Sequence, residues 1–201
     1  MDTIHTETLG DYTVEIHHDE DYDSDYLLGN DDIFIVADHR QFNVGNKDAG
    51  FNTIEDVQTM VEDDDDDDTE YAVFDLFAYI HSGIMLKLRE FSCQWDSGQI
   101  GYVLVKRSVG WVPKEGEETN APAMRRAAES VVSEWNEILF GNVYGFRVLK
   151  GDEEVDSCWG FVGDYDGDDG CLEEARDIAK WHQEKDDKAR EPIDVLIAEA
   201  V

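Results

Sequence analysis

The chain is 201 residues long and carries 49 acidic and 16 basic side chains, a formal net charge of −33 at pH 7. Its hydrophobic fraction of 41% and aromatic fraction of 11% exclude a wholly disordered chain. The charge argues against direct binding of nucleic acid, because the net field repels phosphate. A chain of this length predicts one domain, so we expect residues 1–201 to form a single acidic domain.

The first third of the chain predicts two strands and a helix. Tyr12, Val14 and Ile16 alternate with polar residues, which is typical of a half-buried strand. The apolar run at 33–36 is bounded by acidic turns and indicates a buried second strand. Thr53 can cap a short helix whose apolar residues share one face, and the aspartate run that follows ends this helix.

The centre of the chain predicts three strands in the middle of an antiparallel sheet, followed by the clearest helix. The strands are 72–80, 84–88 and 100–105, and His81-Ser82-Gly83 joins the first two as a tight hairpin. The helix begins at Pro122 and has one apolar stripe, and Gly141 marks its end.

The last quarter predicts a hairpin and a final helix. Residues 143–149 and 155–162 are typical of strands joined by a glycine-containing turn. An amphipathic helix is predicted over 172–182, with Pro192 beyond its end and residues 193–198 forming an edge strand or a short helix. Hairpins without β-α-β alternation predict an α+β fold with a largely antiparallel sheet and two to three packed helices.

Targeting and cysteine signals are sparse. The first residues, Met-Asp-Thr-Ile-His, lack the basic and apolar regions of a secretion signal, and the longest apolar stretch, 71–86, is interrupted by Asp75 and His81. We therefore expect a cytoplasmic protein without a membrane partner. The odd set of three cysteines has no C-x-x-C pair and predicts neither a disulfide framework nor a zinc site.

The acidic residues are concentrated towards the two ends of the chain. Residues 1–70 hold 23 acids and two bases, residues 71–150 hold nine of each, and residues 151–201 hold 17 acids and five bases. One explanation is salt adaptation, since Asp outnumbers Glu and lysine is scarce, as in proteins that work in molar salt, where screening reaches ~3 Å. The other explanation is a partner with a basic surface.

The run Asp63 to Asp68 is central to the second explanation. An extended chain advances ~3.3 to 3.6 Å per residue, close to the ~3.4 Å phosphate spacing along one DNA strand, so the run can imitate a line of phosphates. Otherwise it is a solvated part of a flexible acidic loop over residues 62–69. The residues expected to contact a basic partner are Asp19, Asp21, Asp23, Asp25, Asp63, Asp64, Asp65, Asp66, Asp67, Asp68, Trp95, Asp96 and Trp159.

The most distinctive segment is Phe91-Ser92-Cys93-Gln94-Trp95-Asp96-Ser97-Gly98-Gln99-Ile100-Gly101, which is followed later by Asp156-Ser157-Cys158-Trp159-Gly160-Phe161. The two segments resemble a family of small uncharacterised proteins of phages and related mobile elements, which carry Ser-Cys-Pro-Trp-Asp-Ser-Gly-Gln and a later Asp-Ser-Cys-Trp-Gly. Gln94 stands where that family often has proline. The resemblance covers roughly residues 72–162 and implies a genomic context, without an activity.

Two roles can be considered for the cysteines of these segments. Cys93 could be a nucleophile with His81 as its base and Asp75 or Asp96 as the orienting group, but a strongly acidic chain disfavours a thiolate and no oxyanion hole is recognisable. Alternatively, four side chains pack together beneath the hairpins: Cys93, Trp95, Cys158 and Trp159. We predict a protein that is not an enzyme.

The acidic turn at 164–170 resembles the start of a calcium loop, because acids at alternating positions can converge on one hard cation. Counted from its first aspartate, the sixth position is Asp169 rather than glycine and the twelfth is Ala175 rather than glutamate. A weak site for calcium or another cation is therefore assigned to Asp164, Asp166 and Asp168, and no other cofactor is predicted. The alternative is that Asp168 or Asp169 caps the last helix.

The sequence thus predicts a non-enzymatic acidic interaction protein of a virus or mobile element, acting in the host cytoplasm. Its partner would be a basic host protein, a nucleic-acid-binding or defence protein that it inhibits by DNA mimicry. The alternative is a salt-adapted accessory domain whose acidity is only solvation, with any recognition around Trp95 and Trp159. Mimicry requires acids clustered on one face, whereas salt adaptation requires acids over the whole exposed surface. The sequence leaves the oligomeric state open.

Overall fold

The computed structural model describes residues 3–23, 31–42, 44–45, 51, 53–63, 70–93, 95–116, 119–168 and 170–198, except the side chains of residues 63 and 191–198. In these ranges the chain has eight strands and three helices. The strands are β1 (Thr3–Leu9), β2 (Tyr12–His18), β3 (Ile33–Ala37), β4 (Tyr71–Ile80), β5 (Ile84–Lys87), β6 (Ser97–Lys106), β7 (Val143–Lys150) and β8 (Glu153–Val162). The helices are α1 (Ile54–Asp63), α2 (Ala121–Phe140) and α3 (Cys171–Ala198).

The strands form two four-stranded antiparallel sheets, and the predicted α+β class is confirmed. The chain divides into two compact units, Met1–Tyr22 with Gly141–Val201 and Asp23–Phe140. That the whole chain acts as a single domain stays a prediction. None of the helices in the described ranges has the length and apolar character needed to cross a bilayer.

The first unit is a sheet of order β1-β2-β7-β8 with α3 packed on one face. The alternation seen in the sequence of β2 places Tyr12, Val14 and Ile16 on this face, where all three are buried. They pack with buried residues of β7 and α3: Tyr144, Phe146, Val148, Cys171, Leu172, Ala175 and Ala179.

The second unit is a sheet of order β3-β6-β4-β5, which makes β5 an edge strand. Val36, Val57 and Leu104 form a small buried cluster between the sheet and α1. α2 packs against β5 and also contacts β3, β4 and β6. Its buried stripe is close to the predicted one: Ala123, Met124, Ala128, Val131, Val132, Trp135 and Ile138.

Local signals account for several element boundaries. Thr53 and Asp56 form a reciprocal cap at the start of α1, because the Asp56 N–H donates to Thr53 Oγ1 at 3.1 Å and the Thr53 N–H donates to Asp56 Oδ2 at 2.9 Å. Gly141 follows α2 with a φ of +82°, and Gly151 turns β7 into β8 with a φ of +61°.

Two elements differ from the prediction. β1 was not predicted, because its polar-rich sequence gives an edge strand without a regular apolar face. α3 was predicted to end before Pro192 but continues to Ala198, so that prediction is wrong, and residues 193–198 are helical. The continuation costs one backbone hydrogen bond, since proline has no N–H to donate.

Candidate functional site

The loop between β5 and β6 presents Trp95 to solvent. Its side chain is 96% exposed, and the neighbouring Asp96 is exposed as well. The loop is tied to the sheet, since the Ile80 N–H donates to the Asp96 carbonyl at 2.7 Å and the Ser97 hydroxyl donates to the Cys93 carbonyl. The prediction that Trp95 packs with the cysteines beneath the hairpins is therefore wrong, and its indole is available for recognition.

The glycines of the same segment have different roles. A Cβ at Gly101 would lie 2.0 Å from the carbonyl oxygen of Val36, so glycine is what allows β6 to pair with β3 at this position. At Gly98, by contrast, no atom lies within 4 Å of the place that a Cβ would take. Part of this distinctive segment thus serves strand pairing rather than binding.

Trp159 of β8 packs on the first unit. Its indole lies over Gly145 of β7, where a Cβ would be 2.2 Å from Trp159 Cε3. The centroid of the indole is 6.2 Å from that of the buried His17 ring. Trp159 keeps 37% of its surface exposed. A partner could therefore contact only this exposed part of the residue.

The side chains considered for cysteine chemistry have other contacts. The Cys93 thiol donates to Asp96 Oδ2 at 3.8 Å, and Asp75 Oδ1 accepts from Gln99 Nε2 at 3.0 Å. His81 is exposed and stacks on Tyr79 at 6.4 Å between ring centroids. Within the described residues, the structure records no contact that joins His81 to Cys93. The geometry therefore lends no support to a catalytic pair.

The acidic segments named from the sequence are described only in part. Asp19 is half-buried and its carboxylate accepts from the Asp21 N–H at 3.2 Å, while Asp21 and Asp23 are exposed. Residues 62 and 63 belong to α1, so the predicted start of the acidic loop at 62 is wrong. Asp25, Asp64, Asp65, Asp66, Asp67 and Asp68 lie outside the described residues.

The acidic turn before α3 is held by its backbone. The Gly170 N–H donates to the Gly167 carbonyl at 2.9 Å, and a Cβ at Gly170 would be 2.4 Å from the Tyr165 carbonyl oxygen. No group of three or more Asp, Glu, His or Cys side chains that could hold a metal ion is found in the described ranges. The weak cation site assigned to Asp164, Asp166 and Asp168 gains no support from this arrangement.

An acidic groove, which the sequence did not single out, is formed by this turn, β8 and α3. It has a volume of about 620 Å³. Trp181 lies in it with 56% of its side-chain surface exposed. Five carboxylates, two apolar side chains and a glycine line the groove: Asp156, Asp168, Gly170, Glu173, Glu174, Asp177, Ile178 and Trp181.

The helical spacing of the groove residues is the signal that sequence reasoning missed. Positions 173, 174, 177, 178 and 181 recur at intervals of three and four, so they share one face of α3. The first turn of α3 also carries Glu173 and Glu174, where acids are favoured by the helix dipole. The helix predicted as amphipathic therefore has an acidic face beside its apolar one, and this second face is visible in the spacing of the acidic residues.

The groove retains most of its negative charge. Asp177 pairs with Lys180 at 2.8 Å, and Asp156 lies 3.5 Å from Nε2 of His182. For the other three carboxylates, no ion pair is recorded among the described residues. Other cations of the unit pair outside the groove, in the pairs Arg176–Glu7, Arg147–Glu154, Lys150–Asp186 and Arg190–Asp11.

Trp181 already has a cation on its ring. The Lys185 ammonium lies 5.0 Å from the indole centroid, one helical turn further along α3. A cation at this distance is attracted by the quadrupole of the ring. The indole can therefore favour positive charge within the same groove that the carboxylates make negative.

Comparison with known proteins finds no matching family model, no similar curated protein and no similar solved structure.

Proposed function

We propose that this chain is a non-enzymatic interaction protein that binds a basic surface of a partner, with the acidic groove of the first unit as the docking site. The observation that carries the proposal is the gathering of five carboxylates and the exposed Trp181 in one groove. Recognition of a basic partner requires several carboxylates close together on one accessible surface.

The groove supports binding through two kinds of contact. Its carboxylates pair with lysine ammonium or arginine guanidinium groups, and arginine can use two parallel hydrogen bonds. The face of Trp181 adds a cation–π contact and apolar area that salt does not screen. The net charge of the chain would steer a basic partner towards it before contact.

The class of partner follows from the sign of the charge. A surface that binds DNA is rich in lysine and arginine, so an acidic groove can occupy it in place of phosphate. We infer that the partner is a nucleic-acid-binding or defence protein of a host cell, and that the chain belongs to a virus or mobile element. The aspartates at 63–68, which belong to the second unit, would supply further charges for the same mimicry.

The test is capture of partners by the immobilised protein from a lysate of its native host, followed by elution with duplex DNA. The variant Glu173→Gln/Glu174→Gln/Asp177→Asn removes three groove charges with little change in shape. A matched control, Asp152→Asn/Glu153→Gln/Glu184→Gln, removes three exposed charges that do not line the groove. DNA-eluted proteins should be lost with the first variant and kept with the second. Equal capture by both would exclude the groove as the docking site, and capture insensitive to DNA would exclude mimicry.

Salt adaptation is the second candidate, and the even distribution of charge between the units favours it. The first unit holds 24 acids and seven bases, and the second holds 25 acids and nine bases. If acidity is only solvation, the free energy of unfolding should rise steeply as KCl is raised to molar concentration, because screening relieves self-repulsion. In that case, the protein should retain no DNA-displaceable partner.

A further inference from the structure

A second groove, between β5 and α2 of the second unit, has the opposite charge. Its volume is about 590 Å³, and Lys87, Arg89 and Arg125 line it together with a single carboxylate, Glu129. The unit that contains it has 25 acids and only nine bases. Three of the nine therefore surround one groove in a unit where acids outnumber bases more than two to one.

The floor of this basic groove is apolar. Leu86, Leu88 and Val132 line it with relative exposures of 0%, 9% and 4%. These three side chains are almost completely covered, so the cationic rim is the part of the groove that can recognise an occupant, and its complement is an acidic segment.

The backbone of the groove is closed to strand addition. The side-chain amide of Asn136 accepts from the Leu86 N–H at 2.7 Å and donates to the Leu86 carbonyl at 3.0 Å. Arg125 Nη2 donates to the Leu88 carbonyl at 3.4 Å. Because α2 satisfies these outward-facing groups of the edge, an occupant would bind through its side chains rather than as a fifth strand.

Two of the three cations are held in position. Arg125 donates through Nε to Glu129 at 3.2 Å, and its guanidinium carbon lies 5.9 Å from the ring centroid of Phe74. Lys87 lies 4.9 Å from the ring centroid of Phe91. Because Lys87 is ordered before binding, it loses less conformational entropy when a carboxylate arrives.

We propose that this groove binds an acidic segment of a partner protein. Lys87 and Arg89, which line the groove, pair with the carboxylates of that segment. This surface is separate from the acidic groove and takes a partner of opposite charge, so either proposal can fail without the other.

The affinity of the groove for an acidic segment should depend on salt concentration in a characteristic way. The repulsion between an acidic segment and the −33 chain acts over long distances and is screened first, while ion pairs in direct contact are screened less. Affinity should therefore rise as salt increases from about 0.01 M to about 0.2 M, where the Debye length falls from ~30 Å to below ~10 Å. A basic partner in the acidic groove would show the opposite trend.

The test is fluorescence anisotropy with a labelled twelve-residue peptide of glutamates and serines. A peptide of the same length with glutamine in place of glutamate serves as the uncharged probe. The acidic peptide should bind more tightly than the uncharged one, with an affinity that rises over the low-salt range. The double variant Lys87→Glu/Arg89→Glu should weaken it by about tenfold or more.

The control is Lys114→Glu, which removes a cation of the same unit that does not line the groove. It should leave the affinity within about twofold of the unmodified protein, since an exposed charge that does not line the groove acts only through the screened field. Equal weakening by this control, or equal affinity for the acidic and the uncharged peptide, would overturn the proposal. So would a concentration-dependent dimer in sedimentation equilibrium that Lys87→Glu/Arg89→Glu abolishes, because the groove would then be covered by a second copy of the chain.

Discussion

Trp159 and Gly145 face each other across β8 and β7, and the indole occupies the space that any side chain at 145 would need. A Cβ at this position would be 2.2 Å from Trp159 Cε3 and 2.8 Å from the Cys158 carbonyl oxygen. The pair is directly opposed in the register of the two strands. Only glycine at position 145 leaves room for the Trp159 indole in this arrangement.

Gly145→Ala should therefore destabilise the protein. The added methyl group must displace the indole or the strand, and overpacking of this kind costs about 1–3 kcal/mol of unfolding free energy. Urea unfolding followed by circular dichroism would measure the loss. Gly98→Ala is the control, because no atom lies within 4 Å of the place that its Cβ would take, and the stability should change little. Equal stability of the two variants would contradict the packing described for Trp159.

Asn136 protects the edge of the second sheet, and Asn136→Ala should expose it. The change leaves the N–H and carbonyl of Leu86 without their side-chain partners, which costs about 1–3 kcal/mol where water cannot replace them fully. The unpaired edge should also increase aggregation, measured by light scattering during refolding. Ser133→Ala, at an exposed position of the same helix, should change neither quantity. Unchanged scattering by Asn136→Ala would show that the amide does not guard the edge.

The contact between Glu7 and Arg176 should make stability depend on acid pH. Arg176 donates to both carboxylate oxygens of Glu7, at 2.9 and 3.1 Å from Nε and 2.6 Å from Nη2. The hydrogen bonds from Arg176 lower the pKa of Glu7 in the folded state, although burial opposes them. The stabilisation is therefore complete above the unfolded pKa of Glu7 and is lost as pH falls through the lower folded pKa.

Glu7→Gln should thus be less stable than the unmodified protein at neutral pH and equally stable at strongly acidic pH. Unfolding free energies measured from pH 7 downwards would give the difference at each pH. Glu153→Gln, at an exposed position of β8, should show a smaller difference at neutral pH. A difference for Glu7→Gln that persists at the lowest pH would mean that the contact does not act through charge.

The cysteines should differ in reactivity. Burial raises the pKa of Cys171 to about 11, and its side chain is inaccessible in the core of the first unit. At pH 8 about one thiol in a thousand would be ionised at such a pKa, so alkylation of Cys171 should be slow in the folded state. Cys93 is half-buried on a loop and should react before Cys171. Mass spectrometry after timed iodoacetamide treatment would establish the order, and early labelling of Cys171 would contradict its placement.

The elements were predictable from sequence because their signals are local. Alternation identified β2, the capping residue Thr53 marked the start of α1, and Gly141 marked the end of α2. β1 escaped because an edge strand with many polar residues carries little periodicity. The end of α3 was misplaced because proline only disfavours a helix, and the sequence does not reveal when a chain continues through it.

The sequence by itself determined the α+β class, most strand and helix positions, and the excess of negative charge. Tertiary structure alone decided which charges come together, because strand pairing and helix packing bring positions distant in sequence into one groove. Asp156 of β8 meets Glu173 of α3 in the acidic groove, and Lys87 of β5 meets Arg125 of α2 in the basic one. It also decided that Trp95 is exposed, since an apolar residue type does not specify whether the fold has room to bury it.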